Sequence, residues 1–401
     1  MIVSSQIIGL VGCLAGAAVT YQTFPDKVLK RKLGALLRTN DFHADLKQYN
    51  GKTQRIPPVV KSVNFYLDRK EATFMLPVGS DPNEVLKKQW VFQQVFGPAA
   101  ELSMIDPRKF SMSIYTTSIQ QFDYVPEEVN EVVAGMRLPI YVGKKRTGDV
   151  VYDLVDNPGL LIAGITGSGK SALVRSILTT LIRNVANMEL YCADLKMTEF
   201  HLFKGIAKAV VYEKNEMLGL TTLIRTEMDR RSKLLEMEGV AHIDDLENPP
   251  PYIIFAIDEV ARVSKEKPIM AALDDIGAIG RALGVFMILS MQRPDAELLK
   301  SSLKNNLSVR IALRHSDGTN SRITIDSGEA ANIKQSEKGL MVFKMDGLFY
   351  VQGPNLTLDA AKELLAPFKT PWEKKTKPNI GAIDITPVEP ESEQIEWGVI
   401  E

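Results

Sequence analysis

Three short stretches of this chain carry residue types, at spacings, that could do chemistry on a phosphate. The first is Gly164-Ile165-Thr166-Gly167-Ser168-Gly169-Lys170-Ser171, a glycine-rich turn closed by a lysine and a hydroxyl. Leu160–Ala163 ahead of it reads as a buried parallel strand, and the run from Ser171 onward has helical periodicity built from good helix formers. A strand, a nest of backbone N–H groups and a helix N-terminus together make a cradle for nucleotide phosphates. In that cradle Lys170 would sit on the β- and γ-phosphates of ATP, and the Ser171 hydroxyl would ligate Mg²⁺. A glycine-rich turn that binds nothing is the plain alternative. The full eight-residue pattern in a strand–turn–helix context argues against it.

The second stretch is Tyr252–Ile257, an apolar run that ends in Asp258-Glu259. Ligands of open parallel sheets bind at the carboxyl ends of the strands. Two carboxylates there are costly unless they meet a cation or solvent. Asp258 would hold Mg²⁺ through water, and Glu259 would polarise the water that attacks the γ-phosphate. The third stretch is Val285–Leu289, followed by Ser290-Met291-Gln292-Arg293-Pro294. The Gln292 amide is placed to reach the γ-phosphate or its water, with a structural, loop-capping glutamine as the rival reading. Pro294 would end the strand.

The elements that must position these residues follow from the same periodicity. Apolar runs at 189–193, 207–211, 252–257, 285–289 and 309–313 alternate with helical patterns, as expected of a parallel sheet covered on both faces. Ahead of this region, 25–137 reads as a small α/β module with no chemical motif, taken as an assembly or adaptor unit. Its expected elements are strands at 62–68, 102–105 and 110–116 and a helix at 83–96. Leu138–Asp153 reads as a hairpin with Lys144, Lys145 and Arg146 at its tip, either solvated or touching phosphate.

The chain has 401 residues, 48 basic against 49 acidic, for a net charge of −1. Bulk charge therefore favours no class of partner, and any basic surface must be local. One such excess lies between Arg293 and Arg322, where six basic residues face three acidic ones. The two cysteines, Cys13 and Cys192, fit a reducing compartment without a disulfide framework. Met1–Phe24 holds no charged residue and is followed by Lys27, Lys30, Arg31 and Lys32. Its length suits one membrane span of about twenty residues, with the following chain in the cytoplasm by the positive-inside rule. After Asn379 the tail has six acidic and no basic residues, and 369–401 reads as disordered.

Taken together, these stretches resemble the motor domain of the FtsK/SpoIIIE family of hexameric, RecA-like DNA translocases. The resemblance rests on Gly148–Ser171, on Asp194-Leu195-Lys196-x-x-Glu199, on Glu227-Met228-Asp229-Arg230-Arg231, on Ile253–Ala261, on Gly280–Pro294, and on Asn305-Asn306 through Asp326. It implies an α/β fold, a RecA-like P-loop ATPase with a parallel central sheet over 138–368, using ATP and Mg²⁺. By the same resemblance Lys170, Glu259 and Gln292 are catalytic, Ser171 and Asp258 hold the metal, and Arg310 or Arg322 acts on a neighbour's nucleotide or on DNA. The implied partners are the DNA backbone, five further copies in a homo-hexamer, the membrane, and a relaxase or relaxosome protein.

The chain departs from the family's chromosome-segregating members in having no room after the motor for a winged helix and one membrane helix in place of several. These departures point to a single-pass protein of the bacterial cell membrane, with the motor in the cytoplasm. Its expected role is the coupling or transfer ATPase of a conjugative or mobilisable element. A docking ATPase that recruits a relaxase–DNA complex without pumping is the alternative, and a small-molecule phosphotransferase or switch is a more distant one.

Overall fold

The computed structural model describes residues 25–40, 42–47, 53–66, 69–97, 99–115, 119–294 and 302–370. The membrane span expected at 1–24 and the acidic tail from 371 onward lie outside the described residues. Among the described residues no helix is long and apolar enough to cross a membrane.

The first part of the chain forms strands β1 (Ala44–Lys47), β2 (Thr53–Ile56), β3 (Val59–Phe65), β4 (Arg69–Met75), β5 (Ala100–Asp106) and β6 (Lys109–Tyr115). β1 and β2 pair as a small ribbon, and the other four make an antiparallel sheet in the order β3-β4-β6-β5. The helix Pro25–Thr39 buries Leu29, Leu33, Leu36 and Leu37 against Phe74, Phe92, Phe110 and Met112. The i, i+4, i+7, i+8 spacing of those leucines is the apolar stripe of a surface helix. The single helix expected at 83–96 is instead two, Pro82–Lys87 and Gln89–Phe96, broken at Lys88, which leaves helical geometry at φ −97°, ψ 21°.

The rest is one sheet of ten strands: β7 (Pro139–Lys145), β8 (Gly148–Asp153), β9 (Leu160–Ala163), β10 (Met188–Asp194), β11 (Ala209–Val211), β12 (Tyr252–Asp258), β13 (Val285–Met291), β14 (Val309–Leu313), β15 (Leu340–Lys344) and β16 (Leu348–Gln352). Their order is β11-β10-β12-β13-β9-β14-β15-β16-β7-β8. The first six are parallel and the last four join antiparallel, so the expected parallel sheet is the half of a mixed one. Within that half the short hairpin from β15 to β16 cannot supply the long crossover that parallel pairing needs.

The parallel strands read as unbroken apolar runs because both faces are covered. Leu160, Ile162, Ile254 and Ile288 point to the side of the helix Lys170–Asn184, whose Leu173, Ile177 and Leu181 meet them. The alternate residues Leu161, Phe255, Ile257 and Leu289 pack under the helices Lys214–Glu238 and Lys267–Ile279 through Met217, Ile224, Leu273 and Ile276.

The β7–β8 hairpin precedes β9 in sequence but sits at the far edge of the sheet, with β14, β15, β16 and β7 between β8 and β9. Its basic tip is engaged within the chain. Lys144 bonds Glu128 at 2.8 Å, and Lys145 lies 5.1 Å over the Phe349 ring. Arg146 pairs with Glu101 of β5 at 3.4 Å and stacks 4.4 Å over Tyr115 of β6. A cation over an aromatic face is attractive, so this tip ties the large sheet to the small one. The tip thus has partners within the chain, beyond the two readings of a solvated turn or a phosphate contact.

Candidate nucleotide site

The parallel strands all end on one edge of the sheet, and the residues singled out for chemistry lie there. β13 sits between β9 and β12, so the glycine-rich turn after β9 and the acidic pair after β12 flank the end of β13, which carries Ser290 and Gln292.

The loop 164–171 is held from three sides. Gly164 N–H donates to the Met291 carbonyl at 3.2 Å, Ile165 N–H to the Arg314 carbonyl at 3.1 Å, and Gly339 N–H to the Ser168 carbonyl at 2.9 Å. Two glycines are required by geometry. Gly169 has φ +105°, and a Cβ there would lie 2.8 Å from the Gly339 nitrogen. A Cβ on Gly164 would lie 2.8 Å from both Leu313 Cβ and Ser168 Oγ. Gly169 caps the helix Lys170–Asn184 without any side-chain hydrogen bond, and its first turn has no acidic residue. The first N–H groups of that helix are thus free to bind an anion. Ser168 Oγ is buried with no partner, an orphan polar group pointing to a ligand. These features fit a bound phosphate chain.

Lys170 Nζ donates to Asp258 Oδ1 at 2.7 Å and to Ser290 Oγ at 3.2 Å, and Ser290 in turn bonds Asp258. The Lys170 and Asp258 side chains are 7% and 3% exposed, so the ion pair lies in the interior, where each charge depends on the other. Glu259 follows at φ +57°, a left-handed conformation that a non-glycine residue adopts at a cost of about 1–3 kcal/mol. Both of its carboxylate oxygens are engaged: Lys196 Nζ donates at 2.6 Å and the Gln292 backbone N–H at 3.2 Å. The Gln292 side-chain oxygen accepts from Thr166 Oγ1 at 3.3 Å, which joins the β13 end to the phosphate loop.

Ser171 Oγ bonds Glu199, and Glu199 lies 3.9 Å from Arg175. Glu199 and Lys196 come from the loop after β10, whose last residue, Asp194, is in register with Asp258. The Asp194 carboxylate accepts from the backbone N–H groups of Lys196, Thr198, Glu199 and Phe200, at 2.9–3.3 Å, and so shapes that loop. Lys196, Glu199 and Ser290 are contacts that reasoning on motifs had left without a role. The signal was present in Asp194-Leu195-Lys196-x-x-Glu199, polar residues following an apolar run as they do in the acidic pair. Among the described residues no group of three or more His, Cys, Asp or Glu could hold a metal by itself. Ser171 and Asp258 each offer oxygen, the donor type that Mg²⁺ takes alongside substrate phosphates.

The two arginines come from β14 and from the helix Gly318–Ile325 that follows it. Arg310, on β14, pairs with Asp326 at 2.9 Å, and Asp326 also takes Lys304 at 2.8 Å and Lys344. Burial pushes the Asp326 carboxyl up, but the bonds from Lys304 and Lys344 and the Arg310 charge outweigh it and hold it at about 2. Arg322, on the helix Gly318–Ile325, is exposed. His315, just past β14, is buried against Thr324, and burial pulls its imidazole down to about 4.

Residues 129–329 match the FtsK/SpoIIIE family. The DNA translocase FtsK of Treponema pallidum is 33% identical over 209 residues, which are 48% of this chain and 26% of that protein. The DNA translocase FtsK of Staphylococcus epidermidis is 30% identical over 233 residues, 53% of this chain and 29% of its own length. The chain therefore spans less than a third of these relatives. Among solved structures, the pCW3 conjugation coupling protein TcpA, a monomer form with ATPγS, superposes with a TM-score of 0.58 at 21% identity, covering 85% of this chain and 99% of that one. EssC (ATPases 2 and 3) from Geobacillus thermodenitrificans does so with a TM-score of 0.54 at 18% identity, covering 63% and 51%. At such identities the likeness is one of fold.

Proposed function

The chain belongs to the FtsK/SpoIIIE family, and from that premise we propose that it is an ATP-driven DNA translocase, tethered to the bacterial cell membrane through 1–24, that serves as the coupling or transfer ATPase of a conjugative or mobilisable element. The observation that carries the reading is the convergence of Lys170, Asp258, Glu259 and Gln292 from the ends of three neighbouring strands on one end of the phosphate loop. The fold shared with a conjugation coupling protein supports the choice of element.

ATP lies with its phosphates on the N–H groups of Gly167–Ser171, and Lys170 exchanges Asp258 for phosphate oxygens. Ser171 and Asp258 would hold Mg²⁺, which would supply charge neutralisation at the phosphates. Glu259 orients a water and takes its proton as the water oxygen bonds to the γ-phosphorus. The bond from that phosphorus to the β-phosphate oxygen breaks, leaving ADP and inorganic phosphate. Gln292 couples the loop, through Thr166, to the base. In a six-membered ring, exposed Arg322 is better placed than Arg310 to reach a neighbour's nucleotide, because Arg310 is already neutralised by Asp326. The DNA contact is to the phosphate backbone, so it tolerates any sequence and weakens with salt.

The test is ATP hydrolysis by the purified chain with and without duplex DNA, together with displacement of a protein block from that duplex. DNA-stimulated turnover with displacement is expected. Turnover indifferent to DNA, with no displacement, would leave a docking ATPase. Equal membrane partitioning with and without 1–24 would remove the tether.

A further inference from the structure

The helix Pro25–Thr39 carries five basic residues and one acidic, Asp26. Its apolar side is committed to the small module: Leu29, Leu33, Leu36 and Leu37 are between 0% and 7% exposed and pack on the four-stranded sheet. Arg31 and Arg38, seven residues apart, share the opposite side, and Lys30 and Lys32 flank them. All four are exposed, and among the described residues none of them has an acidic partner. Other exposed cations of the module do have one, as Lys87 has Glu84 at 3.1 Å and Arg55 has Asp45 at 3.8 Å. A face of one sign of charge repels itself, and an anionic surface relieves that repulsion.

The helix Gln89–Phe96 covers the same face of the sheet, where Phe92 stacks 5.9 Å from Phe74 and lies 5.6 Å from Phe42. Trp90, two positions from Phe92 and so turned the other way, is 41% exposed, and Val95 is 48% exposed. Indole rings, lysines and arginines are the side chains of the membrane–water interface.

A duplex and a lipid surface are the two large anions that such a face could meet, and its place in the chain favours lipid. The helix follows directly on 1–24, a stretch without a charged residue. At 1.5 Å per residue, residues 30–32 lie about 8–11 Å along the axis from its first residue. That is about one Debye length, the range over which headgroup charge is felt. Interfacial helices bind through buried apolar area and through charge. Here the leucines are already buried in the module, so charge must carry the contact.

We propose that the basic face of the helix Pro25–Thr39 docks on anionic lipid headgroups, with Trp90 entering the same interface. This surface rests on the reading of 1–24 as the tether and adds a lipid preference to it. An uncharged span enters neutral and anionic bilayers alike, whereas four unpaired cations distinguish them.

The test uses the full chain with Trp372→Phe and Trp397→Phe, which leaves Trp90 as its one indole. It is mixed with vesicles of phosphatidylcholine alone, and of phosphatidylcholine with phosphatidylglycerol. Partition should be tighter into the mixed vesicles and the difference should vanish at high salt. Trp90 emission should move to the blue there and be quenched by brominated lipid. Each cation near the surface is worth about fivefold, so Lys30→Gln should lose about fivefold of the preference. The triple variant Lys30→Gln, Arg31→Gln, Lys32→Gln should lose about a hundredfold. Equal partition into the two vesicles, a preference unmoved in the triple variant, or unmoved Trp90 emission overturns the docking. Weakened duplex binding in the triple variant with its vesicle preference intact assigns the face to nucleic acid and also overturns it. Phosphatidylcholine vesicles report the tether separately. Binding to mixed vesicles alone keeps the face and removes the tether, and binding to neither overturns both.

Discussion

Replacing Glu259 by glutamine separates the two things that residue does. Glutamine keeps the length and shape of the side chain, and its amide oxygen can still accept the Gln292 backbone N–H now 3.2 Å from the carboxylate. What is lost is the charge facing Lys196 at 2.6 Å. The Lys196 side chain is 26% exposed and can turn to water, so the stability cost is about 1–2 kcal/mol, the size of one charge-assisted hydrogen bond. For a domain of this size that is a fall in Tm of about 2–8 °C. The loss of a general base costs about 10²–10⁴ in rate, or about 2.7–5.4 kcal/mol of transition-state stabilisation. Single-turnover hydrolysis and Mg-ATP binding measured on the same variant should therefore show binding kept and turnover lost. Turnover within threefold of the parent would refute Glu259 as the base. Lys196→Met is the companion: it leaves a carboxylate only 9% exposed without its cation, so it should lower Tm at least as much as Glu259→Gln.

Asp258→Ala strands the nearly buried Lys170 ammonium, and the nucleotide-free protein should lose about 3–5 kcal/mol, or about 6–20 °C in Tm. Adding Lys170→Met should recover part of it, and an unchanged melting curve for the single variant would remove the ion pair from the account. Gly169→Ala must displace Gly339, because its Cβ meets backbone at 2.8 Å, so ATP affinity should fall at least about tenfold, as for about 1.4 kcal/mol of lost binding. Gly167→Ala, at φ +79° with open space around its Cβ, should cost only about 1 kcal/mol of backbone strain in a melting experiment.

His315 makes stability depend on pH. Its folded pKa of about 4 lies below the ordinary 6.5, so the unfolded chain binds the extra proton first. The stability is fully present above about pH 6.5 and drains away as pH falls toward 4, by about 3 kcal/mol at most. Urea titrations at pH 7 and pH 5 should show a smaller difference in His315→Gln than in the parent, and equal differences would exclude His315 as the titrating group.

The chemistry of the site was legible in the sequence because each part is local. A strand of four apolar residues, a glycine turn and a helix start are contiguous in Leu160–Ser171, and Tyr252–Glu259 carries its carboxylates on its own strand end. The strands at 252, 285 and 309 were also visible, since burial on both faces leaves an unbroken apolar run. The break at Lys88 was not, because a single residue leaving helical geometry hardly disturbs the apolar spacing around it.

What only the tertiary structure decided is adjacency between strands that are distant in sequence. No periodicity says that β13 inserts between β9 and β12, yet that order puts Gln292 between the phosphate loop and Glu259. Lys196 and Glu199 acquired their partners only because β10 lies in register with β12. Arg310 and Arg322 look alike in the sequence, but Asp326, brought to β14 by the turn after the helix Gly318–Ile325, neutralises one and leaves the other exposed. Residue type and spacing along the chain determine which groups are available for chemistry. Pairing across the sheet, settled by the burial of both its faces, determines which of them meet.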